Sequence, residues 1–122
     1  MPLNRAPARM RLSPQARADI SKILVWSEEH FGHDAALRYA ELIVQALRDL
    51  EADPGRVGVR QRNDLPTGVY SYNLVASRDR VAGSKVTSPR HIVIFRQSAE
   101  DMFEILRILH DSRDLARHLP LR

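Results

Sequence analysis

Arg90-His-Ile-Val-Ile-Phe-Arg96 and Met102-Phe-Glu-Ile-Leu-Arg-Ile-Leu-His110, joined by the polar link Gln97-Ser-Ala-Glu-Asp101, decide the fold. Both runs are apolar and of strand length, and the link between them is short, so they pair as a hairpin. In the first run Ile92 and Ile94 point one way and Val93 and Phe95 the other. In the second, Phe103, Ile105 and Leu109 oppose Met102, Leu106 and Ile108. Strands apolar on both faces are central strands with a cover on each side. Arg107 stands among these apolar neighbours, and a bare charge there would be costly, so a structural ion-pair partner is expected. Beyond the second run the chain turns abruptly polar, with His110, Arg113, Asp114, Arg117 and His118 in one cluster.

Upstream of the hairpin the apolar period lengthens. Ser13-Pro14 is an N-cap followed by proline at the first helical position. Ala16, Ile20, Ile23 and Leu24 then recur at helical spacing, with Arg17, Asp19, Lys22, Glu28 and Glu29 assigned to the other face. The helix ends near His30-Phe31 at Gly32. A second helix runs from about Asp34 to Asp53, with Tyr39, Ile43, Ala46, Leu47 and Leu50 on one stripe, and Pro54-Gly55 stops it. Helices so closely joined form an antiparallel hairpin. Met10-Arg-Leu-Ser is a short strand before them, Arg56 to Pro66 reads as loop, and Gly68–Val75 is a strand. Residues 76–89 read as a long, mobile hairpin loop, and residues 1–9 as a flexible lead. The expectation is a single α+β domain over 1–122, in the order β-α-α-β-β-β, with a two-helix antiparallel hairpin on a small antiparallel β-sheet. Two helices cover only one sheet face. The other needs either the C-terminal segment folded back over it or a partner, and the partner is preferred.

The chain has 122 residues and no cysteine, which excludes disulfides, thiolate chemistry and cysteine-based metal sites. No apolar run approaches a membrane span and the N-terminus lacks a secretory apolar core, so a soluble cytoplasmic protein is expected. Residues 13–55 hold 4 basic and 8 acidic side chains, whereas 56–96 hold 8 basic and 2 acidic. Nearly all the cations are arginines, whose planar fork suits carboxylates and phosphates. That leaves two readings open, an anionic partner or a solvated arginine-rich edge. Asp, Glu and His do not recur at metal-ligand spacing, so a metal is not expected, and no phosphate-cradling glycine loop is present.

Asp19-Ile-Ser-Lys-Ile-Leu-Val-Trp-Ser-Glu-Glu-His-Phe-Gly32, Arg38-Tyr39, Ala46-Leu47 and Asp53-Pro54 resemble the ParE toxins of bacterial type II toxin–antitoxin modules. The strands at 90–96 and 105–110, then Arg113-Asp114 and Arg117-His118-Leu119, are similar to the same family in the same order. The departure is residues 76–89, longer than the tight hairpin typical of that family. The resemblance implies a RelE/ParE-like fold, no cofactor, a cognate ParD-like antitoxin in a hetero-oligomeric complex, DNA contact only through that antitoxin, and inhibition of DNA gyrase by binding rather than turnover. The target-binding candidates are His110, Arg113, Asp114, Arg117 and His118. The antitoxin-binding candidates are Tyr39, Val93, Phe95, Leu106, Ile108 and Trp26, the last with a core role as the preferred reading. The alternative function is that of RelE, a ribosome-dependent mRNA endonuclease, for which the basic and histidine side chains of the tail have suitable chemistry.

Overall fold

The computed structural model describes residues 3, 6–113 and 115–118. The tail candidate Asp114 and the side chain of His118 therefore lie outside the described residues. Strand β1 (Arg9–Leu12) leads into helix α1 (Pro14–Phe31), and α2 (His33–Ala52) returns against it. Strands β2 (Val59–Arg60), β3 (Val69–Asn73), β4 (His91–Ala99) and β5 (Met102–His110) follow, so the expected α+β order holds with a two-residue β2 added at the sheet edge. The sheet order is β1-β5-β4-β3-β2. Every pairing is antiparallel except β1 with β5, which run parallel, so the expected antiparallel sheet is a mixed one.

Helix α1 begins where the sequence places it. The Ser13 hydroxyl accepts the Ala16 N–H at 2.9 Å and donates to the Leu106 carbonyl at 2.8 Å, so one side chain caps the helix and ties it to β5. The turn between the helices is made by Gly32, whose φ of 92° few side-chain-bearing residues adopt. Beyond Ser13, α1 lies along the otherwise unpaired end of β5. There Asp19 accepts the Ile108 N–H at 2.9 Å and takes both arms of Arg107 at 2.8 and 2.9 Å. The expected ion pair for Arg107 is thus found. Asp19 itself does not lie on the solvent face assigned to it: it is buried, because the sheet edge needs an acceptor there.

The alternation read from β4 holds, and that read from β5 holds only in part. Val93 and Phe95 pack with the helices, while Ile92 and Ile94 face the opposite layer. In β5 a bulge places Leu106 as an extra residue between the pairs Ile94↔Arg107 and Phe95↔Ile105. The parity therefore reverses, putting Ile108 with Phe103 and Ile105 on the helix side and Leu109 with Leu106 on the other.

The second face does not await a partner. Leu65, from the loop before β3, and Leu115, 1% exposed, cover Val69, Ile92, Ile94, Leu106 and Leu109 from within the chain. Each such side chain withdrawn from water contributes about 1.5–3 kcal/mol. One leucine from each of two polar segments, Leu65 and Leu115, was enough to close the layer.

Residues 76–89 are also not a simple mobile loop. Leu74–Arg80 form a 3₁₀ helix, capped by the Asn73 side chain and packed on α2, with Ser77 fully buried and Val81 in the core. Its anchor is Asp49, whose carboxylate accepts from Ser77 at 2.6 Å, Arg80 at 2.8 Å and Arg56 at 2.8 Å. Burial alone would raise the Asp49 pKa. The hydrogen bonds from Ser77, Gln45 and Arg80 and the charge of Arg56 outweigh it and hold the carboxyl below its usual range. Gly58 lets the chain pass beneath this insert, since a Cβ there would sit 2.9 Å from that of Ala76.

Candidate functional site

Helix periodicity places Lys22, Ile23, Trp26 and Ser27 on one side of α1, and Ala35, Arg38 and Tyr39 on the facing side of α2. Opposite them run the segment 84–88 and the adjoining ends of β4 and β5. Between these walls lies an open groove of about 1270 Å³. His110 and Arg113 line it from the start of the tail. Trp26 is 53% and Phe31 67% exposed, so the expectation of a core Trp26 gives way to an aromatic rim. Trp26 stacks on His30 with ring centroids 4.1 Å apart and meets Phe31 edge-on at 5.6 Å.

A hydrogen-bonded cluster sits beneath that rim. The Tyr39 hydroxyl lies 2.6 Å from His91 Nδ1 and accepts the Arg90 N–H at 3.2 Å. Burial raises the Tyr39 pKa. His91 meets the His110 ring edge-on at 5.3 Å. Burial, helped by the nearby His110, lowers the His91 pKa to about 4, so this ring is neutral at physiological pH. Arg90 grips both oxygens of Asp111 at 2.9 Å. That hydrogen bond holds the Asp111 carboxyl below its usual range. His110 Nδ1 lies 2.8 Å from the Ser112 hydroxyl.

The groove is electropositive. Lys22, Arg38 and Arg113 have no ion-pair partner among the described residues. Lys85 donates to the carbonyls of Val81 and Asp79. The carboxylate of Asp111 is already taken by Arg90.

Four of the residues singled out from sequence therefore converge on one surface, namely Trp26, Tyr39, His110 and Arg113. Arg117 is exposed in the short 3₁₀ turn Leu115–His118 and does not line the groove. Val93, Phe95, Leu106 and Ile108 offer a partner nothing in this fold. They are 0 to 2% exposed, because the helices take one sheet face and Leu65 with Leu115 the other. Sequence reasoning missed Lys22, Phe31, Arg38, Arg90 and His91. The spacing of Lys22 to Trp26 and of Ala35 to Arg38 and Tyr39 carried a signal for the helical part. His91 carried none, since a strand-end histidine becomes a site residue only once Tyr39 is folded against it.

The family described as the ParE toxin of the type II toxin–antitoxin system parDE matches residues 10–115. Toxin ParE1 of Caulobacter vibrioides is 30% identical over 109 residues, which are 89% of this chain and 95% of that protein. Among solved structures, a chain of the chromosomal ParDE toxin–antitoxin system of P. aeruginosa superposes with a TM-score of 0.64 at 18% identity. The match covers 84% of this chain and 95% of that one, and supports the fold. No helix among the described residues is long and apolar enough to cross a membrane.

Proposed function

This chain belongs to the ParE toxins of type II toxin–antitoxin systems, and on that premise we propose that it inhibits DNA gyrase by binding and is neutralised by a ParD-like antitoxin seated in the groove. One observation carries the binding reading: the groove exposes the rings of Trp26 and Phe31 beside the uncommitted cations Lys22, Arg38 and Arg113, while Tyr39 is bonded to His91 and Asp111 to Arg90. An acidic, amphipathic helix or strand matches such a surface in both charge and apolarity. The antitoxin surface and the target-facing residues His110 and Arg113 then overlap. A division of labour between helices for the antitoxin and tail for the target is replaced by a shared face.

The test is supercoiling by purified gyrase. Added toxin is expected to inhibit supercoiling or to accumulate cleaved plasmid, and the Arg113→Ala, Arg117→Ala double variant to lose that effect with its secondary structure intact. Full potency of that variant would exclude the tail from target binding. Ribosome-dependent mRNA cleavage is a second reading, favoured by one feature, the contact between His91 and His110 beside Arg90 and Arg113. Cleavage of ribosome-bound mRNA, lost on His110→Ala, would establish it and remove the gyrase proposal. Inertness in both assays with tight antitoxin binding would indicate a chain kept only for operon regulation.

A further inference from the structure

The hydrogen-bond partners of His91 and His110 assign where their imidazole protons sit. The Tyr39 oxygen accepts the Arg90 N–H, and the hydroxyl's own proton finds one acceptor among the described residues, His91 Nδ1 at 2.6 Å, so Nδ1 is assigned as the acceptor. A ring that accepts at Nδ1 and is neutral carries its proton on Nε2. At His110 the Ser112 backbone N–H donates to Nδ1 at 3.1 Å, and Asp111 Oδ1, 3.5 Å from the same nitrogen, is taken by Arg90, an arrangement that in the neutral ring puts the proton on Nε2. Neither Nε2 has a partner among the described residues, and neither is shut away from solvent as the unsatisfied Arg56 Nε is. Both rings line the groove, and Arg113 lines it with them. Asp111, the carboxylate beside them, is spent on Arg90.

We propose that the Nε2–H groups of His91 and His110, with the Arg113 guanidinium, form a seat for one carboxylate on the protein segment that fills the groove. The assignment rests on reading the groove as a docking site for a protein partner, and adds the chemistry by which that partner is held. Three donors on one acceptor group offset the cost of removing a carboxylate from water. A carboxylate on a peptide is favoured over a phosphodiester because Ile23, Trp26, Phe31 and Val86 place apolar surface among the cations of the groove wall. A peptide with an acidic residue among apolar ones covers those walls, whereas a sugar–phosphate strand leaves most of them wet. The seat also explains the tautomer lock: without Tyr39 and Ser112 either ring could turn an acceptor nitrogen toward the incoming anion and repel it.

Ring-nitrogen NMR on the ¹⁵N-labelled full chain tests this, at a pH above the histidine range. The free chain is expected to show both rings protonated at Nε2. Sodium acetate, titrated against sodium chloride at constant ionic strength, should then move both sets of ring signals saturably. Arg113→Ala should weaken acetate binding by about tenfold, the loss of one charge-assisted contact. Tyr39→Phe should release the His91 tautomer and abolish the acetate shift there while His110 still responds, a pattern that a general loss of folding would not give. Protonation of either ring at Nδ1 in the free chain, or no saturable acetate shift, would overturn the seat. Inorganic phosphate binding more tightly than acetate would overturn the carboxylate assignment in favour of a nucleic-acid backbone. Since acetate is the probe, these outcomes do not depend on whether the partner proves to be an antitoxin.

Discussion

Helix α2 carries two polar clusters built on opposite plans. Near its C-terminal end Asp49, 4% exposed, gathers Ser77, Arg80, Arg56 and Gln45 around one carboxylate, and the Tyr72 hydroxyl closes the set on Ser77 at 2.6 Å. Near its N-terminal end Tyr39 starts a chain through His91 that runs to the groove wall, where the Nε2 atoms of His91 and His110 have no partner among the described residues. The first cluster engages its donors and acceptors inside the protein, all but the buried Arg56 Nε, which has no partner among the described residues. The second engages the Nδ1 atoms of its two histidines inside the protein and leaves the Nε2 atoms without a partner among the described residues. Polar groups that satisfy one another hold a fold together, and those with unpaired donors beside a groove are the ones a binding partner can engage.

Of the point substitutions, Asp49→Ala should have the largest effect on stability. It leaves the part-buried Arg56 and the buried Ser77 hydroxyl without their acceptor, while Arg80, 57% exposed, can turn to water. The loss should therefore fall at the low end of the range for breaking a buried pair from one side, about 3 kcal/mol. Urea denaturation should show the lower midpoint, and a loss under about 1 kcal/mol would mean that water reaches the cluster and that the contrast with the groove is false. The same carboxyl makes a pH prediction. Its pKa is lowered in the folded state, so its contribution is present above the usual carboxylate range and is lost as pH falls through the depressed value. Asp49→Asn should flatten that acid limb.

Cutting residues 76–89 to a tight turn comes next. The change removes Ser77 and Arg80 from Asp49 and takes Val81 out of the core, so a loss of about 2–4 kcal/mol is expected in the same denaturation experiment. A neutral deletion would restore the mobile-loop reading of this segment.

The open cluster should respond to pH in its own window. His91 has its pKa lowered from 6.5 to about 4, so the unfolded chain takes up this proton first as pH falls. Stability from this ring is complete above about 6.5, declines toward about 4 and then levels off. A His91→Gln variant should lack that slope, whereas Asp49→Asn should keep it, so the two clusters separate along the pH axis.

The same contrast accounts for what was legible in the sequence. Local signals were easy to read: Ser13-Pro14 starting α1, Gly32 ending it, and the alternation of Val93 and Phe95 against Ile92 and Ile94. The β5 bulge was not, since one extra residue at Leu106 leaves the composition of the strand unchanged while turning Ile108 to the other face. Asp19 was assigned to the wrong face and Asp49 was given no role, for one reason. Each stands at helical spacing within a buried stripe, Asp19 after Ala16 and Asp49 after Leu42 and Ala46. An acid in that position signals a partner from a distant segment, which no local rule supplies. The groove depends on side chains from α1, α2, β4 and the tail that meet only after folding.

Trp26→Ala should give the smallest change in stability and the sharpest separation between holding the fold and binding a partner. Trp26 is 53% exposed and its ring contacts are to His30 and Phe31 on the same helix, so truncation should shift the denaturation midpoint by no more than about 0.5 kcal/mol. A large aromatic held at the rim of a groove is nevertheless the kind of residue on which association free energy concentrates, commonly about 2 kcal/mol or more on truncation. Calorimetric titration with the co-expressed antitoxin should therefore show affinity falling by about thirtyfold or more while stability is nearly untouched. A stability loss as large as that for Asp49→Ala would return Trp26 to the core. Unchanged affinity would move the docking surface away from the groove, and the two clusters of α2 would then differ in exposure without differing in purpose.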